Sequence, residues 1–147
     1  MEIIVDTREQ LPLWTRYKRQ CLPVGDYTTT LLQNSFVIER KSPQDLYGSI
    51  IQGHVRFMNE LIRAKIMGIK IVVYVECTKK IFIEKKFAGG IRRSCPGKTL
   101  EKIINTIQQR KELEIVWCSS RNSLKDKVKK RLQEEESKYK LYERNKQ

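Results

Sequence analysis

The chain has 147 residues, 39% of them apolar, and 30 Lys and Arg stand against 17 Asp and Glu for a formal charge of +13. That length suits one domain with its own core and removes any need for a disulfide or metal staple, while the clustering of apolar residues excludes global disorder. No run reaches the ~18–20 apolar residues of a membrane span, the start MEIIVDTRE does not read as a signal peptide, and no basic amphipathic helix with aromatic anchors points to a membrane surface.

The first element in chain order is a short buried strand at Ile3-Ile4-Val5, followed by a polar loop through Pro12. After Gly25, the Thr- and Tyr-rich residues 26–32 read as a strand. Gln33-Asn34-Ser35 supply a turn, and FVIERK at 36–41 is the returning strand of a hairpin. Ser42-Pro43 then opens a helix, with Ser as N-cap, Pro in the first position and Asp45 able to reach back to the cap. Gly48 and Gly53 predict a short helix, a break and a second helix through Phe57, Met58, Leu61 and Ile62, stopped at Gly68.

IKIVVYVEC at 69–77 is nearly continuous β-branched sequence, the mark of a central strand covered on both faces. Residues 78–98 are basic and broken by Gly89-Gly90 and Pro96-Gly97, and predict an irregular loop. Leu100, Ile103, Ile104 and Ile107 define an amphipathic helix capped near Thr99, and ELEIVWC at 112–118 is another buried strand. A last helix is expected from Asn122 or Ser123 with Leu124, Val128 and Leu132 inward. Beyond residue 133 the charged chain is expected to fray or extend into solvent. The order predicts an α/β fold with a mixed central β-sheet flanked by helices on both faces: one domain over residues 1–133, and a charged C-terminal helix extension or tail over 134–147.

The cationic excess points to a polyanionic partner, most simply nucleic acid, against the ordinary alternative of a soluble basic surface. Cys21, Cys77, Cys95 and Cys118 form no CxxC pair, and with His54 the one histidine a structural zinc site is a poor reading. Cys77 and Cys118, at strand ends, read as buried thiols, and a reduced intracellular setting fits, in cytoplasm, nucleoid or nucleus.

The chemistry concentrates in the hairpin. Side chains in a strand alternate faces, so Glu39 and Lys41 point together and Arg40 points away, alongside Phe36 and Ile38. Asp26 starts the partner strand and can lie beside Glu39. Two carboxylates so close repel, and a divalent cation relieves that cost. Mg²⁺ prefers oxygen ligands, and one or two carboxylates plus phosphate oxygens and water often suffice. Lys41 beside such an ion could orient a water and offset charge on a phosphate. Each fragment alone has an ordinary structural reading, Asp after Gly as a turn residue and Glu-Arg-Lys as a solvated edge; the combination at ordered spacing is what favours chemistry.

Gly25-Asp26, Glu39-Arg40-Lys41 and Asp45 match the GD…ERKxxxD signature of the XPF-type structure-specific DNA endonucleases, archaeal Hef-like nuclease domains among them. Val5-Asp6-Thr7-Arg8-Glu9 resembles the VD-x-RE strand end of that family, and Ser42, Leu46, Ser49-Ile50 and Gly53 resemble its continuation. IVVYVE at 71–76 and LEIVWC at 113–118 fall where the family has its later core strands, so the resemblance spans residue 3 to about 130. It implies a restriction-endonuclease-like core that hydrolyses DNA near branches, flaps or junctions with Mg²⁺ or Mn²⁺. By the same resemblance Asp26 and Glu39 would be metal ligands, the Arg40 backbone carbonyl could complete the shell, and Lys41 would be the catalytic lysine. Asp6 and Glu9 would line the site, Glu9 as a further ligand through water. Asp45 would support it from the first helical turn, where helix capping competes as a role, and Arg8 and Arg40 would be supporting residues. Family members usually carry a tandem helix-hairpin-helix domain, and this sequence is expected to stand without it. A homodimer through the nuclease domain, or a separate DNA-binding subunit, is then expected as partner.

Lys85, Lys86, Arg92, Arg93 and Lys98 could hold phosphate backbones, with Lys79, Lys80, Phe82 and Phe87 around them, or the stretch could be a solvated loop. Arg56 could face the site from the start of the second helix, whereas His54 reads as a surface residue. The basic run from Lys125 to Arg131 reads first as a solvated helix face. Two rival functions stand beside the nuclease: an inactive DNA-binding subunit of the same fold, which would be expected to have lost signature acids, and a basic RNA-binding or scaffolding protein, which would show no metal dependence.

Overall fold

A computed structural model of the chain describes residues 1–84, 95–110 and 113–147. Six strands among them form one sheet: β1 (Ile3–Asp6), β2 (Lys18–Gln20), β3 (Tyr27–Thr29), β4 (Phe36–Lys41), β5 (Lys70–Val75) and β6 (Glu114–Trp117), in the order β2-β1-β3-β4-β5-β6. β3 runs antiparallel to both β1 and β4; the β1–β2, β4–β5 and β5–β6 pairs are parallel. The sheet is therefore mixed, and the expected hairpin is the β3–β4 pair.

Alternation in the central strands builds two cores. Val37, Val73 and Val75 face one way, onto Leu46 of α1 (Pro43–Tyr47), Phe57 and Ala64 of α2 (His54–Ile66), Phe82 of α3 (Lys79–Ile83), and Leu100 and Ile104 of α4 (Gly97–Gln109). Val5, Tyr27, Ile38, Val72 and Tyr74 face the other way, onto Leu13 and onto Leu124, Val128 and Leu132 of α5 (Arg121–Asn145). Helices thus cover both faces, which is why β5 reads as an unbroken apolar run.

Local signals set most element ends. Ser42 Oγ accepts from the Asp45 backbone N–H at 3.1 Å, capping α1 with Pro43 in its first turn. The break expected between Gly48 and Gly53 is a π-helical turn over Gly48–Gln52, after which α2 starts. Gly68, at φ 73°, ends that helix segment in the left-handed conformation. Cys77 and Cys118 are buried free thiols as expected.

Four local expectations differ. β2 went unread because Lys18-Arg19-Gln20 carries no apolar alternation; it is an edge strand held through pairing with β1. Part of the basic segment expected as loop is helical, α3, with Thr78 Oγ1 accepting from the Ile81 N–H at 3.2 Å. α4 starts at Gly97 behind Pro96 rather than near Thr99. After residue 133 the chain takes the helical of its two expected forms, but it does not leave the core there: the inner stripe of α5 continues from Leu132 to the buried Glu136 and on to Tyr139, and Thr29 Oγ1 donates to Glu136 Oε2 at 3.0 Å. Arg131 clasps Glu114 of β6 at 2.5 and 3.0 Å, tying the same helix to the sheet's far edge.

Candidate active site

The centre is built where β3 begins and β4 ends. Gly25 enters it at φ 78°, and a Cβ there would lie 2.7 Å from Val37 Cγ2, so the position admits only glycine without a shift. That turn delivers Asp26 to β4: its N–H donates to the Ile38 carbonyl at 2.8 Å, and its Oδ2 accepts from the Arg40 N–H at 2.8 Å. The register pairs Tyr27 with Ile38, so Asp26 stands beside Glu39. Glu39 and Lys41 share the face that Arg40 leaves; Lys41 Nζ lies 3.9 Å from Glu39 Oε1 and 5.4 Å from the centre of the Phe57 ring. Phe57 thus walls the lysine from α2.

The two acids are in conflict. Burial pushes Asp26 up to about 6, against the pull of the Arg40 N–H, and the Glu9 charge adds to the rise. Burial pushes Glu39 up to about 8, with the charges of Asp26 and of Glu60 adding. Glu60, from α2, is within hydrogen-bond reach of Glu39. At neutral pH such a group of carboxyls retains a proton that a nearby cation would displace.

Arg40 points to the opposite face. Its Nε and Nη2 donate to the two oxygens of Glu9 at 3.0 and 2.9 Å, and its Nη1 donates to Glu76 Oε1 at 2.8 Å. Glu9 also accepts from the Tyr27 hydroxyl at 3.1 Å. Burial alone would raise Glu9, but the Arg40 hydrogen bonds and charge outweigh it and hold the carboxyl below its ordinary range. Asp6, 1% exposed, accepts from Arg8 Nε at 2.8 Å and from the Leu22 N–H at 2.8 Å, and these outweigh its burial to keep it ionised. Its own N–H donates to the Asp26 carbonyl at 2.8 Å, so Asp6 clamps the backbone next to the centre.

The remaining candidates lie further out. Asp45 is exposed in the first turn of α1. Arg8, its side chain 67% exposed, lies along Asp6. Arg56 is exposed one turn before Glu60 on α2, and Lys98 is exposed at the start of α4. Lys85, Lys86, Arg92 and Arg93 lie outside the described residues, as does Phe87. Sequence reasoning missed Glu60, Glu76 and Arg121. Glu76 had a signal, since it ends an apolar strand parallel to β4, and the carboxyl ends of such strands are where sites form.

Among the described residues no three His, Cys, Asp or Glu side chains converge as a metal cage on their own. The donor set nevertheless fits a hard cation that takes most of its oxygens from water and phosphate. Two desolvated carboxyls, Asp26 and Glu39, stand together with only the Arg40 N–H and the Lys41 ammonium set against their charge, and the Arg40 carbonyl follows Glu39 directly in the chain.

The sequence matches the ERCC4 domain over residues 5–135. No curated protein matches the chain. Among solved structures, XPF from Aeropyrum pernix is similar at 18% identity and a TM-score of 0.68, over 90% of this chain and 60% of that one. XPF from Aeropyrum pernix in complex with DNA is similar at 16% identity and a TM-score of 0.67, over 92% of this chain and 65% of that one. At these identities the likeness shows a shared fold, and this chain spans less than two thirds of the length of either. No helix of the described residues is long and apolar enough to cross a membrane.

Proposed function

This chain belongs to the ERCC4 domain family, and from that premise we propose that it is a Mg²⁺- or Mn²⁺-dependent DNA endonuclease acting on branched, flapped or junction DNA. The observation that carries the reading is the meeting of Asp26, Glu39 and Lys41 on one side of β4, inside a chain of charge +13. Asp26 and Glu39 would hold the ion, with the Arg40 carbonyl beside them. The bound cation supplies a Lewis acid for the scissile phosphate and lowers the pKa of a water.

The chain's own residues do the rest. Lys41, fixed between Glu39 and the Phe57 ring, is set to hold the attacking water and to offset negative charge growing on the phosphate. Phe57 and the surrounding apolar wall keep bulk water from that ammonium. Glu9 acts through Arg40, which it grips with both oxygens. Asp6 and Arg8 hold the strand end that meets Asp26, and Asp45 would support the centre from the first turn of α1, which Ser42 caps. Arg56 and Lys98, with Lys85, Lys86, Arg92 and Arg93, are proposed to bind phosphates. A second copy of the domain or a separate DNA-binding subunit would supply further grip on duplex DNA.

A flap or splayed-arm DNA substrate, incubated with Mn²⁺ and with EDTA, tests the reading. Wild type is expected to cut only with the metal, and Glu39→Ala and Lys41→Ala are expected to lose at least ~10²-fold in rate. Equal cutting by the variants would place the chemistry elsewhere, and metal-independent DNA binding without cutting would favour the inactive-subunit reading.

A further inference from the structure

Behind the face that carries Glu39 and Lys41 lies a closed ring of contacts, of which the proposed chemistry draws only on Arg40 and Glu9. Glu76 Oε1, just past the end of β5, accepts from Arg40 Nη1 at 2.8 Å and from Arg121 Nη1 at 3.2 Å. Arg121, the first residue of α5, turns its Nη2 onto the Leu11 and Pro12 carbonyls at 2.6 and 3.3 Å. That loop begins at Glu9, whose carboxylate holds the other two donors of Arg40, and the Leu11 N–H reaches Glu9 Oε1 at 3.4 Å. Arg40, the 9–12 loop, Arg121 and Glu76 therefore join β4, β5 and α5 into a single circuit.

The circuit matters because of where Arg40 sits in the chain. It lies between Glu39 and Lys41, and alternation sends those two to the opposite face. A guanidinium held through all three nitrogens, two on Glu9 and one on Glu76, restrains the Arg40 backbone it hangs from, and with it the aim of the flanking side chains. A single carboxylate oxygen shared by two guanidiniums, one with its side chain 16% exposed and the other 41%, is also more charge than packing alone requires.

We propose that Glu76 and Arg121 are positioning residues for the nuclease centre, acting through Arg40 on the backbone that aims Glu39 and Lys41. The inference rests on the nuclease reading above.

Its test uses Arg121→Ala, Arg121→Lys, Glu76→Gln and the Glu76→Gln/Arg121→Ala double variant. Three measurements are made: cleavage kinetics on flap DNA with Mn²⁺, Mn²⁺ binding to the DNA-free protein by electron paramagnetic resonance, and thermal unfolding. Arg121 is partly exposed, so its truncation is expected to leave the fold intact. Misaiming by a fraction of an ångström is expected to lower kcat about ten-fold with KM for DNA nearly unchanged, and to weaken Mn²⁺ binding several-fold. Arg121→Lys is expected to recover part of kcat, and the double variant to be about as slow as Glu76→Gln alone, as members of one circuit must be. Wild-type kcat and Mn²⁺ affinity in folded variants, or losses confined to KM or to unfolding temperature, would overturn the proposal while leaving the nuclease reading intact. A wild type that neither cuts nor binds Mn²⁺ would remove both.

Discussion

Replacing Gly25 by alanine separates two costs that the structure keeps apart. The backbone there has φ 78°, a conformation that costs an L-residue roughly 1–2 kcal/mol. The added Cβ also meets Val37 Cγ2 at 2.7 Å and Val37 Cβ at 2.8 Å, and Val37 is fully buried among the residues packed under α1 and α2. Overpacking of that kind adds about 1–3 kcal/mol, for a total of about 2–5 kcal/mol. Gly68 is the internal control: its φ is 73°, yet a Cβ there meets nothing within 4 Å, so Gly68→Ala should show the backbone cost alone, about 1–2 kcal/mol. For a domain of this size each kcal/mol moves Tm by about 2–4 °C, which predicts a fall of about 4–20 °C for Gly25→Ala and about 2–8 °C for Gly68→Ala. Circular dichroism melts of the metal-free proteins read both. Because Asp26 follows Gly25, cleavage should fall further in Gly25→Ala than the melt explains, whereas Gly68→Ala should cut normally. Equal melts for the two variants would refute the claim that close approach to Val37, and not backbone freedom alone, demands glycine at the mouth of the centre.

Two further outcomes follow from the charges. Asp26 and Glu39 have raised pKa values, from ordinary values of 3.8 and 4.5 to about 6 and about 8. Their contribution to stability is therefore complete below about pH 4 and is lost as pH rises to about 8, because the unfolded chain gives up these protons first. In EDTA the wild-type Tm, relative to that of Glu39→Gln, should fall steadily between pH 5 and 8, and saturating Mn²⁺ should flatten the difference; a difference independent of pH would mean that Glu39 is not forced to share space with Asp26. Arg56→Ala should weaken DNA binding and reduce the slope of log K against log salt by about one, measured by fluorescence anisotropy at several salt concentrations; an unchanged slope would remove Arg56 from the DNA path.

Most of the centre was legible because it is local. Alternation alone puts Glu39 and Lys41 on one face of β4 and Arg40 on the other, and a hairpin of Thr-rich and apolar strands puts Asp26 next to Glu39. Gly48, Gly53 and Gly68 marked the helix breaks for equally local reasons. β2 was invisible since three polar residues hold a strand only when a neighbour offers its hydrogen-bonding edge. That the helix extension past residue 133 would stay packed on the sheet was hidden because Glu136, charged in the sequence, finds a hydroxyl on Thr29 in the fold.

The α/β order, the two-faced central strands and the acid–lysine trio all depend on spacings of a few residues and were readable from the chain. The contact of Glu60 with Glu39, the capture of Glu9 by Arg40 and the circuit that Arg121 closes onto Glu76 came from the fold. Those partners are tens of residues apart in the chain, and polar contacts of that separation leave no period or composition to read; they exist only once the sheet has fixed which strand ends lie side by side.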